Sequence, residues 1–305
     1  MGKNILLAGA NGFIGSTLLK FLSKKNFRIY ALYRNKKNIP PKTMGVTYII
    51  CDISKYKILN TRLLRIKKID IIINLAANLN SIDEIKYLNS FINDNIITQA
   101  NLLKVASEKK CNLFIYTSSI SVYDDFDNKN KPYKEKDILK PNSFYGWSKL
   151  KSEELLGIQS KISSFKGVSL RLSGVHDVSR KKGVVFKMFS NSFNNENLLI
   201  NEPRSKFSII FLEDVLKAIY LVIKNKRKIK NYECYNLSGD YVVSLKEIAE
   251  KIIKISGKGK IQIKHNMLKR YQVMNLKKIK NQLNFKTNNI EYYLKKYSYS
   301  FKENL

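Results

Sequence analysis

Short apolar runs alternate along the chain with longer stretches in which apolar residues recur every three to four positions. The run Ile5, Leu6, Leu7, Ala8 has no polar residue in it. A strand exposed on one face would alternate, so an unbroken run predicts a strand buried on both faces. Similar strand signals fall at 28–32, 47–51, 69–75, 112–117 and 167–171, with helical periodicity over 13–22, 89–107 and 145–156. Strands alternating with helices predict an α/β fold built on a doubly wound parallel sheet. Pro40 and Pro41 mark 35–43 as a loop, and 124–140 reads as a polar loop. No internal repeat or low-complexity linker interrupts the pattern.

Composition narrows the picture. With 305 residues and 44% hydrophobic content, the chain has enough material for one α/β unit and a smaller lobe. No stretch approaches the roughly 20 apolar residues of a membrane span, so no membrane association is expected. Strand signals by Asn4 leave no room for a cleaved signal peptide, and Leu6 stands where a myristoylation site wants Ser or Thr. Cys51, Cys111 and Cys234 are odd in number and unpatterned, which argues against a disulfide framework and for a cytoplasmic setting. Two histidines, His176 and His265, with no ligand-like cluster, give no reason to expect a metal.

The formal charge is +32, from 56 Lys and Arg against 24 Asp and Glu. The lysines are spread over nearly every segment, 224–230 among them, in a chain also rich in Ile and Asn. That pattern fits compositional drift and solvated lysine faces, so nucleic acid is not expected as a partner. The field would still draw in an anionic substrate.

Two groups of residues carry chemistry. Gly9, Gly12 and Gly15 fall on the turn between the first predicted strand and the first predicted helix, with Asn11, Phe13 and Ile14 among them. Glycines there permit a tight turn, let the backbone approach a pyrophosphate and allow close helix–strand contact, while the helix start offers N–H groups and the positive dipole end. Tyr145 and Lys149 are four apart, on one face if the segment is helical. A phenol is a poor base at neutral pH; a neighbouring ammonium favours its charged form. Tyr33/Lys37, Tyr220/Lys224 and Tyr292/Lys296 repeat the spacing, so context has to decide. Only the Tyr145 pair follows Pro141 and has a hydroxyl, Ser119, upstream at the end of a predicted strand. Such a hydroxyl can hold a substrate oxygen while the phenolate moves its proton.

Gly9/Gly12/Gly15, Ser119 and Tyr145-x-x-x-Lys149 together resemble the extended short-chain dehydrogenase/reductases, the sugar-nucleotide epimerase/dehydratase group. Asp52-Ile53 resembles the adenine-contacting pair. Leu75, Ala76 and Ala77, following Asn74, resemble the segment beside the cofactor's ribose and phosphates, and Asn95 matches an Asn on the family's central helix. The stretches 169–175, 211–219 with Asp214, and 235–240 continue the likeness through most of the chain. The resemblance implies a Rossmann domain over 1–171, completed by about 207–240 with its last strands at 207–211 and 233–237. It implies a discontinuous substrate lobe from 172–206 and 241–305, and a homodimer paired through the helices of Asn95 and Tyr145. Ser119, Tyr145 and Lys149 would be catalytic, Lys149 also holding the nicotinamide ribose.

Departures from the family pattern matter too. Dehydratases of the group place Asp-Glu immediately after the hydroxyl residue, where this chain has Ile120 and Ser121. Many relatives carry Arg-Asp-Phe to grip the substrate diphosphate, where this chain reads Phe207-Ser208-Ile209; Arg204 or Lys206 would have to substitute. Gly174 stands where relatives have a substrate-contacting Asn. After the second predicted strand, Arg34, Lys36 and Lys37 follow Tyr33 where NAD-selective folds have an acid, which favours NADP over NAD. The expected function is an epimerase acting on a nucleotide-activated sugar by transient oxidation and hydride return. The alternatives are an NADPH-dependent keto-sugar-nucleotide reductase and, behind it, a non-catalytic dinucleotide sensor or RNA-binding protein on the same fold.

Overall fold

A computed structural model describes residues 2–79, 84–123, 130–264 and 269–303. His265 and the 124–129 part of the expected polar loop lie outside the described residues. The first elements are β1 (Lys3–Ala8), α1 (Phe13–Ser23), β2 (Phe27–Tyr33), β3 (Val46–Ile50), α2 (Tyr56–Leu63) and β4 (Ile71–Asn74). There follow α3 (Leu88–Phe91), a π-helical stretch (Ile92–Ile97), α4 (Thr98–Glu108), β5 (Leu113–Ser119), α5 (Phe144–Ile162) and β6 (Lys166–Leu172). The remainder is β7 (Gly174–His176), α6 (Val184–Phe193), β8 (Asn197–Ile200), β9 (Lys206–Phe207), β10 (Ile209–Phe211), α7 (Leu212–Lys224), β11 (Tyr232–Leu237), α8 (Leu245–Ser256), β12 (Lys260–Ile263), β13 (Tyr271–Gln272), α9 (Lys277–Leu283) and α10 (Ile290–Glu303).

Seven strands form a parallel sheet in the order β11-β6-β5-β4-β1-β2-β3, the doubly wound Rossmann arrangement. The order steps outward from β1 in both directions, so the chain ends leaving β1, β2 and β4 are neighbours at the carboxyl edge of the sheet, where open α/β sheets bind ligands. The apolar runs of the central strands are buried on both faces because helices cover the sheet: Ile5, Leu6, Leu7, Ile72, Phe114 and Ile115 are all fully buried. Cys51, Cys111 and Cys234 are buried and take part in no disulfide. Among the described residues no helix is long and apolar enough to cross a membrane.

The chain divides into two compact units. The first comprises Met1–Tyr123, Leu139–Arg171 and Ile219–Tyr235; the second takes the described residues of Asp124–Ile138, Leu172–Ala218 and Asn236–Leu305. The stretch 207–211, expected as a late strand of the main sheet, lies in the second unit. There Ile209 and Phe211 pair with Gly174 and His176 in a two-stranded parallel ladder. The cause is packing: Ile209 and Phe211 belong to a separate core with Phe189, Ile252, Tyr293 and Leu294, and the Phe211 ring stacks on Tyr293 with centroids 4.6 Å apart. In the same unit Asp214 is buried at the start of α7. Burial pushes its carboxyl up to about 6 despite a 2.5 Å hydrogen bond donated by the Tyr293 hydroxyl.

Candidate active site

The glycine turn follows directly from β1. Gly9 has φ +76°, a conformation that costs other residues strain, and a Cβ on it would lie 2.6 Å from the Ala76 nitrogen. A Cβ on Gly15 would lie 2.0 Å from the Gly9 carbonyl oxygen, so only glycine lets α1 begin against the turn. The Gly12 N–H donates to that same oxygen at 3.0 Å, and no side chain caps α1. Its first-turn amides therefore face the carboxyl edge without a side-chain acceptor, the arrangement that suits a diphosphate. Asn11 and Gly12 are exposed there, with Phe13 and Ile14 half-buried beside them. The cradle left by three absent side chains fits a dinucleotide.

Ser119 ends β5 and its hydroxyl caps the turn that follows, accepting from the Ser121 N–H at 3.1 Å and donating to the Ser121 hydroxyl at 3.1 Å. Ser118 is more deeply buried, and its hydroxyl makes no hydrogen bond. Tyr145 and Lys149 sit on the first two turns of α5, which opens with Ser143 accepting from the Gly146 N–H at 3.0 Å. A Cβ on Gly146 would lie 2.1 Å from the Ser121 carbonyl oxygen. This glycine allows the start of α5 to touch the turn after Ser119 and so brings the tyrosine and the serine to one place.

The Lys149 ammonium is buried and donates to the Thr117 carbonyl of β5 at 2.8 Å. It lies 5.7 Å from the centre of the Tyr145 ring and 4.8 Å from that of Tyr116. Burial pulls its pKa down to about 7, while the charge of Glu153, one turn further along α5, acts in the opposite sense. Glu153 is itself clamped by buried Arg171 through Oε2–Nη2 at 2.7 Å, and Arg171 donates to the Tyr123 hydroxyl at 2.8 Å. The fork joins α5, β6 and the end of the Ser119 turn.

A second network ties α5 to the segment after β4. Asn95, on the π-helical stretch, accepts from the Asn78 N–H at 2.7 Å and donates to the Ser148 hydroxyl at 2.7 Å. Ser148 in turn donates to the Tyr145 carbonyl at 2.8 Å. Asn95 thus ties α5 to the segment after β4. Leu75, Ala76 and Ala77 follow β4 half-buried, and Asn74 accepts from the Ala76 N–H at 3.0 Å. Asp52 accepts from the Ser54 N–H and hydroxyl. Burial works to raise the Asp52 carboxyl, but the Ser54 bonds and the charges of Arg34 and Lys55 prevail and hold it below its ordinary value. Ile53 packs on the sheet core beside it.

Of four residues singled out from the sequence, Arg34 and Lys206 are engaged in ion pairs and Arg204 and Gly174 are exposed. Arg34 is paired with Asp94 at 2.7 Å, an acid 60 positions away that no local pattern connects to it. Lys206, in the second unit, is paired with Glu247 at 2.7 Å. Arg204 is exposed in that unit and Gly174 opens β7 there. Arg270, not singled out from the sequence, is gripped by Glu202 in the same unit. Ser121 and Gly146 were also missed, although S-x-S and Y-G-x-S-K were there to read.

Residues 5–238 match the family model described as the NAD dependent epimerase/dehydratase family. A dTDP-D-glucose 4,6-dehydratase from Dictyostelium discoideum is 30% identical over 83% of this chain, which spans 62% of that relative's length. A dTDP-4-dehydro-6-deoxyglucose reductase from Escherichia coli is 24% identical over 82% of this chain and 81% of its own. The structure is similar to that of a UDP-glucuronic acid 4-epimerase from Bacillus cereus solved with NAD, with a TM-score of 0.84, 23% identity, and coverage of 98% of this chain and 99% of that one. The match to the family model takes in the glycine turn, Ser119, Tyr145 and Lys149, and the chain belongs to the NAD-dependent epimerase/dehydratase family.

Proposed function

We propose that this chain is an NAD(P)-dependent oxidoreductase acting on a nucleotide-activated sugar, working as an epimerase. The observation that carries the reading is the buried Lys149 ammonium, held by the Thr117 carbonyl beside the Tyr145 ring, with the Ser119 turn locked to the same helix through Gly146. Gly9, Gly12 and Gly15 would hold the dinucleotide's diphosphate, Asp52 and Ile53 its adenine, Leu75 to Ala77 its ribose, and Lys149 the nicotinamide ribose. When bound, the nicotinamide supplies a hydride acceptor and donor. Tyr145 takes the proton of a sugar hydroxyl as its carbon is oxidised and returns it on reduction. Lys149 favours the phenolate, and Ser119 holds the sugar oxygen in place.

The relative that is a dehydratase does not carry its reaction over. Water loss needs an acid and a base on the carbons next to the ketone, and Ile120 and Ser121 supply neither. Reduction of a keto sugar by NADPH is the second reading; in sequence it rests on the cations Arg34, Lys36 and Lys37 after β2, of which Arg34 is paired with Asp94. The two are separated by the cofactor's fate. An epimerase keeps its dinucleotide through the cycle, so the purified protein should release NAD(H) or NADP(H) on denaturation and interconvert two UDP- or dTDP-sugars with no net change in reduced-nicotinamide absorbance. Protein that purifies empty and oxidises added NADPH in proportion to a supplied keto sugar nucleotide overturns the epimerase reading.

A further inference from the structure

The order β4-β1-β2 sets the chain leaving β2 and the chain leaving β4 on either side of the glycine turn. One carboxylate links them. Asp94 accepts from Arg34 Nη2 at 2.7 Å through Oδ1, and from Asn78 Nδ2 at 3.4 Å through Oδ2. Asp94 is the more sheltered partner, its side chain 26% exposed against 62% for Arg34, and the Asn95–Ser148 bond anchors the π-helical stretch that carries it. Asp52, closing the next strand over, also lies within the reach of the Arg34 charge.

The guanidinium is therefore already engaged by one carboxylate, Asp94. A neutral ribose needs nothing from it. A 2′-phosphate would have to displace Asp94 from the fork and then share the site with that carboxylate, and like charges at such range repel. We propose that Asp94 is a specificity-determining residue: by occupying Arg34 it makes the adenosine end accept a plain ribose, so that the chain selects NAD over NADP. The inference rests on the dinucleotide reading above and reverses the preference that Arg34 suggests from sequence.

The test is equilibrium binding of NAD and of NADP, by calorimetry, to protein stripped of co-purifying nucleotide. Wild type should bind NAD more tightly. Asp94→Asn keeps the shape and an acceptor oxygen for the Asn78 amide, and should shift the NADP-to-NAD affinity ratio upward by about two- to fivefold, the range for freeing an exposed ion-pair partner. Arg34→Ala added to Asp94→Asn should abolish that gain, and Asp94→Glu, which keeps the charge, should keep the preference for NAD. A wild type that prefers NADP, or an affinity ratio unmoved by Asp94→Asn, overturns the proposal while leaving the enzyme reading intact. Binding of neither dinucleotide to wild type overturns both.

Discussion

Lys149 has the clearest physical signature of any single side chain in the site. Its ammonium is buried with one carbonyl acceptor, and burial lowers its pKa from 10.5 to about 7. Between those values the unfolded chain holds a proton that the folded chain has released. The unfolded state thus binds more protons in this window, and stability rises with pH across it. Below about pH 7 both states are protonated and the contribution is flat. Lys149→Met should abolish this component. Urea melts of the two proteins from pH 7 to 10 should diverge by on the order of a few kcal/mol, the wild type having the steeper rise. Parallel curves would mean that the ammonium is better solvated than its surroundings indicate. The same residue explains why the spacing Tyr-x-x-x-Lys was ambiguous in sequence: four pairs share it, but burial against β5 is a tertiary property.

At the scale of elements, the site depends on how closely α5 approaches the turn after β5. Gly146→Ala would push a methyl to within 2.1 Å of the Ser121 carbonyl, and the helix or the turn must move. The expected cost is about 1–3 kcal/mol in stability, with a loss of turnover because Ser119 and Tyr145 separate, and with dinucleotide binding retained because the glycine turn after β1 is untouched. Loss of binding with normal turnover per bound cofactor would contradict this division of labour. The β1–turn–α1 unit was legible in sequence because strand, glycines and helix are contiguous and each constrains the next. The 207–211 stretch was not, since three apolar residues suit any sheet and only their core partners, Phe189 and Tyr293, decide which. Nor was the π-helical stretch: the apolar periodicity over 89–107 reads as continuous helix, while one wider turn re-aims Asn95 toward Asn78. Arg34–Asp94 and Asn95–Ser148 link residues 60 and 53 positions apart, beyond any local pattern.

For the whole molecule, the expected homodimer can be tested on the helices named for it. Ile97, the last residue of the π-helical stretch before α4, and Ile158 and Ile162, late in α5, are 37%, 60% and 75% exposed. Large aliphatic side chains left open on two adjacent helices are what a helical dimer face would cover. Sedimentation should show a dimer for wild type and a monomer for Ile158→Lys, with the fold preserved by circular dichroism; an unchanged mass would exclude this face. The central claim, that Tyr145 is the proton-transfer group of a nucleotide-sugar oxidoreductase, is most directly tested by Tyr145→Phe. The variant changes one hydroxyl and leaves the ring beside Lys149. Turnover of the accepted sugar nucleotide should fall by roughly 10²–10⁴-fold, while dinucleotide affinity stays at the wild-type value. Full turnover in Tyr145→Phe would contradict the account.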